Sequence, residues 1–570
     1  MWRGSVAGKR VYEAVAEAFY AEGVRTLFSL TGDGNMHWEA ALAAYPDVKS
    51  IHARHEHCAV AMATAYAMSS GRTGVASVTC GPGLTQIMTA LATAATARVP
   101  MVIFAGEDPI NAPWYNQRID QVPLVLATGA LYVAGRSVGL ARHSVQQAFA
   151  LAYERRLPVV LGMPLDLQQE VAPAGEYVPS AQVLPAPMPR HPNPHEIASA
   201  VARIKAAKRI IIVGGRGARS QPARAAAARL ADLVNAGLSA TLPVRGLYNG
   251  NPRYLGISGG YVHDAARDAF KQADLIIAVG ASLTRFTSDM NNLFEPEQVL
   301  SINTNPGFQQ GQVPAGSFVV ADAALALEAI CAALEHEGVE TDTSWNVQEY
   351  ASRVHTEPVD ADTEFTVSEG LDPRSVMAVI DKHVPKTWTH VSSSGHCAYF
   401  AAHLYGRDAD DFLAIREFGA IGNGLSYAIG RWAANPDKPL MLTDGDGGFL
   451  MHIQELETVV RTGAKLLIIV LNDGAYGSEI HKLRADGLPD TGAVFGSGNL
   501  AGVARSFGLD GHTIVDLDQI PDLLAEFEAS DRAAVWDIQI SQDVVAPTMR
   551  NAIRRKAVVG KTGAAPVGRD

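Results

Sequence analysis

Asp444-Gly-Asp-Gly-Gly448 and Leu471-Asn-Asp-Gly-Ala-Tyr-Gly477 decide how this chain folds. The first closes the short apolar run Leu440-Met-Leu-Thr443, and the second ends the run Lys465-Leu-Leu-Ile-Ile-Val-Leu471. Such runs suit parallel strands buried on both faces. Between them the pattern predicts a helix that carries Gln454-Glu-Leu-Glu-Thr458 and stops at Gly463, a C-terminal signal. The unit therefore reads strand, glycine turn, helix, strand, turn. Glycines let backbone approach a ligand closely, and N–H groups at a helix start favour phosphate. Neighbouring strand tips would bring Asp446 and Asp473 together beside that cradle. Hard carboxylate oxygens next to phosphate oxygens are a usual way to hold Mg²⁺.

Outward from this unit, the same strand–turn–helix alternation recurs. Towards the N-terminus, strands are expected at Thr26–Leu30, near Val48–Ile51, at Gly74–Thr79 and at Val99–Phe104, with an alanine-rich helix from Ala59 to Ala67. Small residues there permit close packing on a neighbour. A middle block has strands at Arg209–Gly215, Asp274–Gly280 and Val299–Asn303. The expected fold class is α/β, with three doubly wound parallel-sheet domains over residues 1–172, 195–335 and 370–545. A seven-proline linker lies between Pro173 and Pro194, an acidic linker at 335–370, and a basic tail at 546–570 that is either an arm or a lid. The first and third blocks share their pattern, as two copies of one fold would.

At 570 residues the chain is too long for one core. Its 48% hydrophobic and 19% charged content is that of a globular enzyme. A net charge of −12 speaks against nucleic-acid binding. Cys58, Cys80, Cys331 and Cys397 show neither metal spacing nor a disulfide pattern, which suits a reducing cytoplasm. No apolar run reaches membrane-span length, and no secretory segment is visible, so no membrane partner is expected.

Gly445-Asp-Gly447, Glu455-Leu-x-Thr458 and Asn472 together resemble the signature of thiamine diphosphate (ThDP)-dependent enzymes. The resemblance is to the superfamily of acetolactate synthases, benzaldehyde lyases and 2-oxo acid decarboxylases, and it runs from about residue 8 to 545. It implies a pyrimidine-binding, a central and a diphosphate-binding domain. It also implies Mg²⁺ on Asp446, on the side chain of residue 473 and on the carbonyl of Ala475, with Gly445, Gly447, Gly448 and Tyr476 at the diphosphate. The family has Asn where this chain has Asp473, which adds negative charge beside a polyanion.

Arg54-His-Glu56 is similar to the family segment whose Glu bonds N1′ of the aminopyrimidine. Glu56 is thus the catalytic candidate: it shares a proton with N1′, so that the 4′-nitrogen removes the thiazolium C2 proton. The bland alternative, a solvated Glu at a helix start, fits poorly between an apolar strand and an alanine-rich helix. Phe418-Gly-Ala-Ile-Gly422 matches the segment whose apolar residue, here Ile421, wedges under the cofactor while the Gly419 carbonyl holds the 4′-amino group. Gly81, Ser394 and His396 stand where the family contacts the cofactor, although Gly81 and Ser394 also read as ordinary turn or loop residues. Asn35, Met36, His37 and Gln117 are the substrate-facing candidates.

The middle block departs from the flavin pattern, with Asn303-Thr-Asn305 in place of Asp-x-Asp, which speaks against FAD. The resemblance implies C–C bond formation or cleavage on a 2-oxo acid or 2-hydroxy ketone through an enamine/carbanion intermediate. It also implies a homodimer or homotetramer with sites between subunits. The consecutive His pair of pyruvate-decarboxylase-type enzymes is missing, as is the Lys that acetolactate synthases carry after their Gln segment. A simple decarboxylase and a non-catalytic nucleotide-binding homologue remain the alternatives.

Overall fold

The computed structural model describes residues 8–185, 188–305, 315–340 and 342–562, with side chains as far as residue 554. Eighteen strands form three six-stranded sheets, and all strand pairs are parallel. The first sheet holds β1 (Thr26–Ser29), β2 (Lys49–His52), β3 (Gly74–Val78), β4 (Met101–Glu107), β5 (Leu131–Ala134) and β6 (Pro158–Pro164), in the order β2-β1-β3-β4-β6-β5. The second holds β7 (Ile210–Gly214), β8 (Gly237–Ala240), β9 (Tyr254–Ile257), β10 (Leu275–Val279), β11 (Val299–Ile302) and β12 (Ser317–Val319), in the order β12-β11-β10-β7-β8-β9. The third holds β13 (Thr389–Ser392), β14 (Phe412–Ala414), β15 (Leu440–Gly445), β16 (Leu467–Asn472), β17 (Asp510–Ile514) and β18 (Ala534–Gln539), in the order β14-β13-β15-β16-β18-β17. Renumbered from its own first strand, the third sheet has the order of the first. The duplication suggested by the sequence is a property of the topology.

Five helices place the site. Helix α1 (Glu56–Ser70) and α2 (Gly424–Ala434) belong to the first and third domains. Helix α3 (Asp446–Met451) starts on the β15 glycine turn, α4 (Glu455–Thr462) follows it, and α5 (Pro547–Thr562) ends the described chain. Buried residues of α1 and α2 join a hydrophobic core shared by the two domains. The small residues allow this: a Cβ on Gly430 would meet the Met62 carbonyl oxygen at 2.1 Å, and one on Gly74 the Ala63 oxygen at 2.4 Å.

Two sequence expectations need correction. The single helix expected after Gly448 is two, α3 and α4, because the chain breaks at His452, where φ is −133°. The acidic stretch 335–370 is not only a linker. It holds a helix, Val347–Thr356, whose Val347, Ala351 and Val354 pack with Trp345 into the middle-domain core. The basic tail begins as α5, latched by Arg550 Nη1 to Asp360 Oδ2 at 2.9 Å and by Thr548 Oγ1 to the Gly260 carbonyl. The side chains of Arg555, Lys556 and Lys561 lie outside the described residues.

Candidate active site

The half of the site expected to hold the diphosphate is built on the tips of β15 and β16. Their register pairs Gly445 with Leu471, so the turns that follow are neighbours. Asp446 opens α3 and is buried, as is Asp473. Burial raises both carboxyls, and the Asp473 charge raises Asp446 further. Asp446 Oδ2 is buried with no hydrogen-bond partner among the described residues. Two buried carboxylates pushed together, one with an idle oxygen, are a poor arrangement alone and a good one around a divalent cation. The donor set therefore fits Mg²⁺.

Asp473 Oδ1 accepts the Ala475 N–H at 3.2 Å, which closes the turn on its own ligand candidate. Asn472 points elsewhere. Its Nδ2 donates to the Ser497 carbonyl and to Asp537 Oδ1, each at 2.7 Å, and its Oδ1 accepts the Gly474 N–H at 3.2 Å. Asn472 therefore builds the turn while Asp473 faces Asp446. Gly447 must be glycine, since a Cβ there would stand 2.7 Å from the Tyr476 ring. Gly445 and Gly448 complete the cradle. Behind it lies Asp444, which sequence reading passed over. It is fully buried, its Oδ1 accepts the Gly445 N–H at 2.9 Å, and burial pushes it up to about 7.

The wedge turn runs from Gly419 to Asn423. Gly419 has φ +76° and Gly422 φ +88°, a region where a side chain is strained. Ile421, Gly419, Ser394 and Tyr476 line a cleft of about 2810 Å³ that continues along the middle domain. His396 is not in that cleft. Its Nε2 accepts the Ala546 N–H at 3.1 Å, its ring packs on Phe400 and His481, and burial lowers it to about 3. It is neutral, offers a diphosphate no charge, and sits as a wedge beside Gly477 and Asp473.

The half expected to face the pyrimidine sits at the head of α1. His55 caps the helix, with its Nδ1 accepting the His57 N–H at 3.1 Å, and Glu56 is the first helical residue. Gly83 is nearby: a Cβ on it would be 3.6 Å from Glu56 Oε1. Gly81 lies directly against Gln117, and the Cys80 thiol donates to Gln117 Oε1 at 2.9 Å. The structure thus brings Glu56, Gly81 and Gln117 to one place. The turn before Asn35 packs on the neighbouring segment, with the Gly34 N–H donating to Thr79 Oγ1 at 3.0 Å. Asn35 is buried, with its Nδ2 donating to the Leu30 carbonyl and Ser77 Oγ. His37 and Met36 are exposed on the following helix, and the His37 ring stands 5.5 Å from that of Tyr12.

The head of α1 is tied to the third domain. The Arg54 N–H donates to Glu455 Oε1 at 2.8 Å, Arg54 Nε pairs with Glu457 at 2.5 Å, and His57 Nε2 meets Asn423 Oδ1 at 2.5 Å. Glu455 also accepts the Thr458 hydroxyl at 2.6 Å. The Glu-Leu-x-Thr element is therefore a domain clamp. Sequence could not assign it that role, because its partners lie some four hundred residues away.

Three family models match the chain in order. They are the thiamine pyrophosphate enzyme N-terminal TPP binding domain at residues 9–124, the central domain at 197–330 and the C-terminal TPP binding domain at 393–538. Curated relatives include a probable acetolactate synthase large subunit of Methanococcus aeolicus, 26% identical over 93% of this chain and 91% of its own. The acetolactate synthase large subunit of Haemophilus influenzae is 25% identical over 96% and 98% of the two chains. The chloroplastic acetolactate synthase 3 of Brassica napus is 28% identical over 82% of this chain and 72% of its own. With the three matches following one another in order and together covering most of its length, the chain belongs to the thiamine pyrophosphate enzyme family.

Proposed function

We propose that this chain is a ThDP- and Mg²⁺-dependent enzyme that makes or breaks a C–C bond beside a carbonyl, an acetolactate synthase-like carboligase or lyase. The carrying observation is the buried pair Asp446 and Asp473, with an unsatisfied Asp446 oxygen at the mouth of a glycine cradle. When bound, ThDP supplies a nucleophilic carbon and an electron sink for the substrate carbonyl.

The chain's own residues supply the rest. Asp446, Asp473 and the Ala475 carbonyl would hold the cation, and Gly445, Gly447 and Gly448 would admit the diphosphate. Ile421 would set the fold of the bound cofactor, with the Gly419 carbonyl accepting from its amino group. Glu56 would keep one proton at the pyrimidine nitrogen. Gly81, in the Glu56 corner, would contact the cofactor, and Gln117 beside it, with Asn35, Met36 and His37, are the candidates facing the substrate. The reading gives flavin no role.

Two copies of the chain complete one site in this proposal. Glu56 is not among the residues that line the Ile421 cleft. Trp114 (75% exposed) near Gln117 and Phe418 (52% exposed) beside Gly419 are large apolar side chains left uncovered next to the two halves. A homodimer or homotetramer covers them. Among the described residues no helix is long and apolar enough to cross a membrane, and the four cysteines are unpaired and buried. Both observations are compatible with a reducing, cytoplasmic setting.

The test is deuterium exchange at C2 of ThDP with Mg²⁺, followed by a screen of 2-oxo acids, aldehydes and acyloins with product identification. Exchange well above that of free cofactor, lost in Glu56→Gln, supports the reading. No acceleration would favour a non-catalytic homologue. A strictly monomeric sample that keeps full activity would refute the shared site.

A further inference from the structure

The turn that carries Ile421 has little to hold it in place by itself. Two of its residues need positive φ, and Phe418 at its start is half in solvent. Its polar groups are instead held from outside. His452 Nδ1 donates to the Gly422 carbonyl at 2.8 Å, and His57 Nε2 donates to Asn423 Oδ1 at 2.5 Å. The two imidazoles stack, with centroids 4.8 Å apart and planes at 20°, and the His55 ring stands edge-on to His452 at 5.4 Å. His57 and His452 are both buried. One comes from the head of α1 next to Glu56, the other from the break between α3 and α4. The turn rests directly on that break, since a Cβ on Gly422 would meet Met451 Cβ at 3.1 Å and His452 Nδ1 at 3.2 Å.

We propose that His57 and His452 are positioning residues that clamp the Gly419–Asn423 turn and so fix Ile421 relative to the head of α1. Burial lowers both imidazoles, His57 to about 4, so each is neutral near pH 7. A neutral ring bonded at one nitrogen has a single tautomer and a single orientation, which makes the stacked pair a rigid shim. Simple space-filling is the alternative, and it predicts that any apolar side chain of similar size would serve. The consequence for chemistry rests on the ThDP reading above, because only a bound cofactor makes the height of Ile421 matter. A misplacement of about an ångström at a positioning residue costs up to roughly a hundredfold in rate.

The experiment compares His57→Leu and His452→Leu with His57→Gln and His452→Asn, whose amides can restore a donor near Nε2 and Nδ1 respectively. Amide hydrogen exchange of the 418–426 segment is read in cofactor-free full-length protein. ThDP affinity and C2 exchange are read with Mg²⁺ present. In the leucine variants, turn protection and C2 exchange should each fall by about tenfold or more, while ThDP affinity changes by less than about threefold. The amide variants should recover most of both. Leucine variants that keep turn protection and C2 exchange would overturn the clamp, as would amide variants no better than leucine. If His57→Leu does not fold, the His452 pair carries the same two outcomes. A wild-type protein that binds no ThDP would sink the cofactor reading, while turn protection would still decide the clamp.

Discussion

The main-chain N–H of Arg54 is bound 2.8 Å from Oε1 of Glu455, across 401 residues of sequence and across the seam between two domains. Glu455 is buried and carries the Thr458 hydroxyl on its other oxygen. Glu455→Ala should leave the Arg54 N–H without its carboxylate acceptor, at a cost of about 1–3 kcal/mol. Denaturant unfolding should show the loss, and Glu455→Gln, which keeps an acceptor, should lose less. Equal losses would mean that the contact is incidental.

Asp473 and Asn472 adjoin in sequence and differ in task. Asp473→Ala should weaken ThDP and Mg²⁺ binding, by calorimetry, far more than Asn472→Ala does. It should also relieve the repulsion with Asp446, so the cofactor-free protein should melt no lower than wild type. Asn472→Ala strips three hydrogen bonds and should lower stability by about 1–3 kcal/mol. Reversed losses would make Asp473 a turn cap only.

Gly430 packs α2 against the backbone of α1 at Met62. A methyl there would collide with backbone, not with a flexible side chain. Gly430→Ala should cost about 1–3 kcal/mol and show itself as loosened contact between the first and third domains. Limited proteolysis at the seam, with unchanged cleavage in the middle domain, would read it.

His57 is buried and His403 half-buried, and both are neutral, lowered by desolvation to about 4 and about 3 from an ordinary value of 6.5. The unfolded chain takes up these protons first as pH falls. Stability present above pH 6.5 is therefore lost as pH drops through 6 and 5, with each group adding about 1.4 kcal/mol per pH unit. Chemical denaturation from pH 7 to 5 should show the slope, and His403→Gln should flatten it by about one proton.

What could be read in the sequence was local. The glycine turns at 444–448 and 472–477, the start of α1 and the turn at 419–423 are short motifs, each visible within a few positions of sequence. The three sheets follow from apolar runs and glycine turns, and the shared order of the first and third follows from their shared pattern. The helix Val347–Thr356 left a usable signal, the 4-then-3 spacing of Val347, Ala351 and Val354, masked by acidic neighbours. Asn35 and His37 differ in setting: Asn35 is buried and bonded to Leu30 and Ser77, and His37 is exposed on the following helix. Glu455 and the His57–His452 stack depend on contacts between distant parts of the chain, which no local pattern encodes.

The latch formed by α5 has a practical corollary. The main-chain N–H of Ala546 serves His396, and the guanidinium of Arg550 serves the buried carboxylate of Asp360. Trimming the protein at residue 545 would thus cut into its interior, taking the N–H donor from His396, the wedge beside Asp473, and leaving Arg374 as the remaining cation on Asp360 among the described residues. Shortened versions made for crystallisation should keep these last turns.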